Sequence, residues 1–391
     1  MPVPLLDVNA QNHPLEIEFT EAFQRVFKSG QFIMGGEIAT LEEELCVLTG
    51  ARHALGVSSG TDAILLALMA LEIGPGDEVL VPTFTFFATA GCVSRSGATP
   101  VFVDADPVTF NMDVTDARSK ITPRTKAIIP VHLFGQSADM KAVFDLAQEH
   151  SLRVIEDGAQ AIGAEYHGKG CGSMGDFGTY SFFPSKNLGG LGDGGATVCN
   201  DDELADRARV LRNHGSHPKY YHHFVGGNFR LDALQAALLR VKLPHYNQYT
   251  ESRQANAAHY TRKLSEIDGV VQADLAQAVL AKDSPEVAIV LPVALEGHKH
   301  IWNQYTLRVL HGQRDALRDH LLANKIGCEI YYPVTMDQQK CFADTPAFSR
   351  RGCQVAHQLA DEVLSIPIYP ELTTAQKDEV IAAIGSFFVK S

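Results

Sequence analysis

Between about residue 55 and residue 200, short apolar runs alternate with longer stretches in which apolar residues recur every three or four positions. The runs HALGV (53–57), EVLVP (78–82), TPVFVD (99–104), AIIPVHL (127–133), RVIED (153–157), GTYSFF (178–183) and ATVCN (196–200) predict strands, bounded as they are by Gly, Pro, Asn and Asp. TDAILLALMAL (61–71) and ADMKAVFDLAQEH (138–150) carry a helical apolar stripe. Strands that are apolar throughout, alternating with helices, predict an α/β fold: a mostly parallel sheet of seven strands with helices on both faces. From Leu231 a long helical stretch predicts a connector, and residues 270–391 predict a smaller α+β unit with strands near LPVAL (291–295), QYTLRVL (304–310) and CEIYYP (328–333). The expected division is a large domain over 1–245 and a small one over 246–391 that includes the connecting helix. The segment 271–290 fits neither period and reads as a lengthened loop or a modified pocket rim.

Length and composition narrow the classes of function. A chain of 391 residues exceeds one ordinary core, and 45% apolar residues suffice to fill two. The net charge of -13, with no basic patch along the chain, disfavours a polyphosphate partner, so no nucleic acid is expected. Seven scattered cysteines, odd in number and never in CxxC spacing, speak against a disulfide framework or a zinc site. Without a basic, then apolar N-terminal stretch or 18 consecutive apolar residues, the expectation is a cytoplasmic protein with no membrane contact.

Ligands of such sheets sit at the carboxyl ends of the strands. There GVSSGTDA (56–63) turns from a strand into a helix starting at Thr61 or Asp62, which makes either an anion site on free amides or a plain N-cap. In RVIEDGAQAIGA the carboxylate of Asp157 ends a strand, with Gln160 three residues on, and it either caps the next helix or faces a ligand. In SFFPSKNLGGLGDGG (181–195), Lys186 stands between aromatic residues and a run of five glycines, an odd frame for a solvated lysine. A lysine in such a pocket loses its proton more readily and can attack an aldehyde. An anion-binding helix start, a strand-end carboxylate and a pocketed lysine together suit pyridoxal 5'-phosphate: phosphate on the helix, aldehyde on the lysine, carboxylate on the ring nitrogen. GVSSGTDA carries neither Walker nor GxGxxG spacing, which disfavours nucleoside triphosphates and dinucleotides.

The ordered runs SSGTDA, VPTFTFFATA, IPVHLFGQSADM, IEDGAQAIGA, GDFGTYSFFPSKNLGGLGDGGA and GGNFRLDALQAALL resemble the DegT family of nucleotide-sugar aminotransferases over nearly the whole chain. That resemblance implies the aspartate aminotransferase type of fold, pyridoxal phosphate as cofactor, and transamination by ping-pong kinetics through a Lys186 Schiff base. It further implies phosphate binding by Gly60, Thr61, Asp62 and Ser181, with Phe86 stacked on the ring. Asp157 would pair with the ring nitrogen, Gln160 would contact the ring hydroxyl, and Asn228 would reach the phosphate of a neighbouring subunit, making a homodimer with shared sites. Arg230 reads as the cation for a substrate carboxylate or, equally, as a structural partner of Asp232. Relatives with histidine at the lysine position are dehydratases, so Lys186 points to transamination, by analogy with glutamate as amino donor.

The run HPKYYHHFVGGNFR and the QYTLR stretch look like members that aminate 3-oxo sugars, so a UDP- or dTDP-linked 3-oxo sugar is the expected acceptor, in an amino-sugar or polysaccharide pathway. A 4-oxo sugar and a non-enzymatic regulatory relative are the alternatives, the latter having no need of Asp157, Gln160 and Lys186 together; a lyase on sulfur amino acids could use the same core without a 2-oxo acid acceptor. Tyr221, His222, His223 and Tyr305 are candidates for the sugar and nucleotide pocket, or else a solvated polar loop. No carboxylate or cysteine completes a metal set beside these histidines, and no metal is expected. After CEIYYP the chain reads VTMDQQKCF, where many relatives carry a histidine before the tyrosine-proline and another in the following loop, positions that often face substrate.

Overall fold

The computed structural model describes residues 2–272, 284–344 and 352–389. Most of the 271–290 segment, residues 273–283, lies outside the described residues. The seven-stranded sheet is built from β1 (His53–Val57), β2 (Glu78–Pro82), β3 (Thr99–Val103), β4 (Thr125–Ile128), β5 (Arg153–Asp157), β8 (Phe177–Ser181) and β9 (Gly195–Cys199). The two-residue strands β6 (Glu165–Tyr166) and β7 (Lys169–Gly170) form a flap between β5 and β8. Strand order is β1-β9-β8-β5-β4-β2-β3, and only β9 runs antiparallel to its neighbours. All seven predicted strands are therefore present, with ends shifted by up to five residues; the largest shift is that of 127–133, where β4 stops at Ile128.

The alternation of side chains along a strand divides the apolar residues between two layers. Leu55, Val57, Val79, Val81, Ile155 and Phe177 share one core with the helix Gly60–Ala70, whose Ala63, Ile64, Leu66 and Leu68 are all buried. A helix apolar on every side must be enclosed, and each of its Leu and Ile side chains contributes about 1.5–3 kcal/mol by leaving water. Leu80, Val101, Val103, Ile128 and Val154 point the other way, onto Val143 and Leu146 of the helix Met140–His150. Because β1, β2, β5 and β8 run in the same direction, their carboxyl ends meet along one edge of the sheet.

The predicted connector is two helices, Ala233–Lys242 and Tyr246–Leu264, joined by a 3-10 turn at Leu243–His245. Pro244 sits where a helix would need its missing N–H, so the α-helix restarts after it. Helix Tyr246–Leu264 packs on a second sheet of order β10-β11-β13-β14, made of β10 (Val270–Gln272), β11 (Ile289–Leu291), β13 (Tyr305–Val309) and β14 (Val363–Ile366). Its two-residue companion β12 (His298–Lys299) pairs with β6 of the flap. Two expectations need correction. The LPVAL strand ends at Leu291, and CEIYYP is no strand: Glu329 exchanges backbone bonds of 3.1 and 2.8 Å with Ser365, after which Tyr331 and Tyr332 leave the sheet. The strand that fills the edge position is β14, whose sequence VLSI carried too short a run to stand out. Among the described residues no helix is long and apolar enough to cross a membrane.

Candidate active site

A cavity of about 590 Å³ opens at the shared carboxyl edge of β1, β2, β5 and β8, and Gln304, Tyr331 and Tyr332 from the second unit close it. Its floor starts with the anion-type turn. Ser59 is extended and accepts from the Asp62 amide at 3.0 Å, so the helix begins at Gly60, one residue before the predicted start. The amides of Gly60 and Thr61 have no carbonyl one turn back to bond, and both residues line the cavity beside Ser181. Gly60 is required there, since a Cβ would lie 2.8 Å from that of Ser181; a Cβ on Gly195 of β9 would likewise fall 2.7 Å from the Gly60 nitrogen.

Asp157 is buried at the end of β5. Its Oδ2 accepts from the Thr89 hydroxyl at 2.8 Å and Oδ1 from the Ala159 amide at 3.1 Å, while no cation pairs with it among the described residues. The carboxylate is thus aimed and held with lone pairs to spare. Gln160 is pinned by accepting from the Phe134 amide at 2.7 Å and sits against the Tyr332 hydroxyl at 3.3 Å. Phe86, 59% exposed although large and apolar, stands over the cavity with its ring 6.3 Å from that of Tyr332.

Lys186 answers the question its glycine frame raised. Its amide turns back to the Phe183 carbonyl at 2.8 Å, and a Cβ on Gly189 would meet the Pro184 carbonyl at 2.3 Å, so the glycine run lets the loop fold onto itself behind the lysine. Asn187 anchors the loop to the Ile301 carbonyl at 3.0 Å and to Asn303 at 2.6 Å. Lys186 Nζ makes no hydrogen bond or ion pair among the described residues. Burial pulls its pKa down to about 8, and the nearby Asp157 carboxylate offsets part of that fall. The free amine is the nucleophile, so capture of pyridoxal phosphate by the cofactor-free protein should speed up about tenfold per pH unit below 8 and level off above it. Stopped-flow absorbance checks this; a rate flat between pH 6 and 8 contradicts it.

Of the remaining candidates, several lie elsewhere. Asp62 turns from the cavity to accept the Ser58 hydroxyl at 2.6 Å, which suits a carboxylate better than facing a phosphate. Tyr305 is fully buried in the second core with its hydroxyl 2.8 Å from that of Thr261, while its neighbour Gln304 lines the cavity. Tyr221, His222, His223 and Asn228 are exposed outside this chain's own cavity, and His222 Nδ1 lies 2.9 Å from the His214 carbonyl. Arg230 pairs with Asn213 at 2.6 Å and not with Asp232. Gly60, Thr61, Phe86, Asp157, Gln160, Ser181 and Lys186 are brought together. Sequence reasoning missed Gln304, Tyr331, Tyr332 and Asp193 as wall residues, although each lay in a stretch already singled out: QYTLR, CEIYYP and the glycine loop. The donor set fits pyridoxal phosphate: free amides and a hydroxyl for the phosphate, an exposed aromatic face, an uncompensated carboxylate and a lysine with a lowered pKa.

A sequence profile described as the DegT/DnrJ/EryC1/StrS aminotransferase family matches residues 14–385. A "pleiotropic regulatory protein" of Geobacillus stearothermophilus is 46% identical over 388 residues, covering 99% of each chain. The UDP-N-acetyl-3-dehydro-alpha-D-glucosamine 3-aminotransferase of Acidithiobacillus ferrooxidans is 46% identical over 384 residues, covering 98% of this chain and 96% of its own. Among solved structures, S. venezuelae DesV in complex with a ketimine intermediate superposes with a TM-score of 0.90 at 40% identity, covering 99% of this chain and 98% of its own.

Proposed function

This chain belongs to the DegT/DnrJ/EryC1/StrS aminotransferase family, and from that premise we propose that it moves the amino group of glutamate onto the ketone of a UDP- or dTDP-linked 3-oxo sugar. It is an aminotransferase that uses pyridoxal 5'-phosphate. The observation that carries the reading is the unpaired Lys186, its pKa about 8, in one cavity with Asp157 and the Gly60–Thr61 amides.

The bound cofactor supplies an electron sink that acidifies the donor's α-proton and a carbonyl carbon that carries nitrogen between the two substrates. The chain's residues do the rest. The Gly60 and Thr61 amides and the Ser181 hydroxyl hold the phosphate at the positive end of the helix Gly60–Ala70. Asp157, kept in one orientation by Thr89 and Ala159, would hold a proton on the ring nitrogen, and Phe86 would shield the ring from water. Lys186 Nζ would hold the cofactor's carbonyl carbon in the resting enzyme and, as a free amine, would take the donor's α-proton as general base and return it as general acid. With a pKa about 8 it serves both roles near neutral pH. Gln304 and Tyr331 form the outer wall on which the sugar rests.

A homodimer with shared sites is part of this reading. The apolar side chains of Ile17 (73% exposed), Phe27 (65%) and Ile33 (55%) support a covered face, and Asn228 is free to reach a second copy. The acceptor 3-oxo position rests on the 3-aminotransferase relative. The regulatory name of the Geobacillus relative favours a second reading, a protein that keeps the cofactor site without turnover.

One experiment separates these readings: the cofactor-loaded protein, glutamate, and matched 3-oxo and 4-oxo nucleotide sugars, with 2-oxoglutarate and the amino sugar measured by mass spectrometry. Amination confined to the 3-oxo sugars is the expected result. Preference for the 4-oxo sugars replaces the acceptor, and cofactor uptake with no half-reaction towards glutamate or other amino acids favours the regulatory reading.

A further inference from the structure

Asp337 stands in the loop that follows CEIYYP. Asp337 does not line the cavity. Its Oδ1 accepts from the hydroxyls of Thr83 and Thr335, each at 2.6 Å, and its Oδ2 lies 2.7 Å from Nε2 of His357 on the helix Gln354–Glu362. The Asp337 amide donates back to the Thr83 hydroxyl at 3.0 Å, and the Met336 amide donates to the Thr83 carbonyl at 2.8 Å. Burial works against the charge of Asp337, yet the Thr335, Thr83 and His357 bonds hold its carboxyl below the usual range.

What these bonds join decides what they do. Thr83 follows β2 directly and stands three residues before Phe86, while Thr335 and Asp337 stand three to six residues after Tyr331 and Tyr332. Tyr332 packs at 6.1 Å from Phe84 and at 6.3 Å from Phe86. Two aromatic walls of one cavity thus come from segments roughly 250 residues apart in the chain, and the Asp337 carboxylate is the side chain that, beside the two backbone amide bonds to Thr83, bolts those segments together.

We infer that Asp337 is a positioning residue, which through Thr83 and Thr335 sets the spacing of Phe86 and Tyr332 around the cofactor ring. The inference rests on the cofactor reading of this site. Asp337→Ala removes the shared acceptor of the Thr83 and Thr335 hydroxyls and leaves, of these bonds, only the two backbone amide bonds to Thr83, whereas Asp337→Asn keeps one oxygen for both hydroxyls and an amino group to donate to His357.

The test compares wild type, Asp337→Ala, Asp337→Asn and Thr83→Val by the Kd for pyridoxal phosphate, the visible circular dichroism of the bound cofactor and the melting curve. Asp337→Ala should raise Kd by about tenfold and lose most of the visible dichroism, with Asp337→Asn close to wild type. Thr83→Val, which removes one hydroxyl, should shift both in the same direction by less, and it carries the test if Asp337→Ala does not fold. A lower melting temperature with unchanged Kd and dichroism would show a merely structural contact and overturn the inference. If wild type itself takes up no cofactor, the reading of the site falls and this inference with it; if wild type binds and Asp337→Ala binds equally well, only the inference falls.

Discussion

Lys186→Ala should leave cofactor binding in place while kcat falls at least ~10⁴-fold, because one side chain supplies both the covalent hold and the proton relay. The Gly60–Thr61 amides, Ser181 and Phe86 are untouched by the change, so ultraviolet difference spectra should still register pyridoxal phosphate uptake. Borohydride treatment of the loaded wild type should fix the cofactor's mass on the peptide carrying Lys186, and on no peptide of the variant. A low pKa alone does not make a lysine the attachment point, and the chain contains its own control. Lys242 is also pulled by burial to about 8, yet its Nζ is spent on the Gly189 carbonyl at 2.8 Å and Gln11 at 3.2 Å and does not line the cavity that holds Lys186. Cofactor fixed on Lys242, or turnover of Lys186→Ala within tenfold of wild type, would sink the assignment.

Asp157→Asn is the second large effect, with kcat expected to drop roughly 10²–10³-fold, the usual size for deleting one preorganised charge from a closed site. Asparagine keeps the shape: its oxygen can accept from the Ala159 amide while its amino group donates to the Thr89 hydroxyl, which turns to accept, so the fold should survive and the loss should report charge. The electrostatics give an independent readout. In the wild type, burial lowers the Lys186 pKa and the Asp157 carboxylate raises it, leaving about 8. Removing that negative charge removes what stabilises the protonated amine, so the pH midpoint for modification of Lys186 in the cofactor-free protein should move below 8. A midpoint that stays or rises would mean the two groups do not interact across the cavity, and Asp157 would lose its assigned role.

Much of this site was readable residue by residue. Thr61, Asp157 and Lys186 each sit where an apolar run meets small residues, and those signals depend only on chain neighbours: a strand must end, a turn needs glycine, a helix start leaves amides free. Phe86, Gln160 and Ser181 came from the family resemblance, and they line the same cavity. The errors have a common origin. Tyr305 and Gln304 are adjacent, and which of them faces ligand depends on which side of β13 the second core lies. A side-chain period of two makes that a question one residue wide.

The sequence by itself determined the order and type of the elements of the large sheet and put Lys186, Asp157 and the Gly60–Thr61 turn at the ends of its strands, because the physics of strand ends, turns and helix starts is local. Tertiary structure alone decided the closing wall. Tyr332 meets Phe86, and Asp337 meets Thr83 and His357, only because the second unit docks across the sheet edge. No pattern in CEIYYPVTMD encodes a partner some 250 residues earlier in the chain; the burial of both segments in one cavity supplies it.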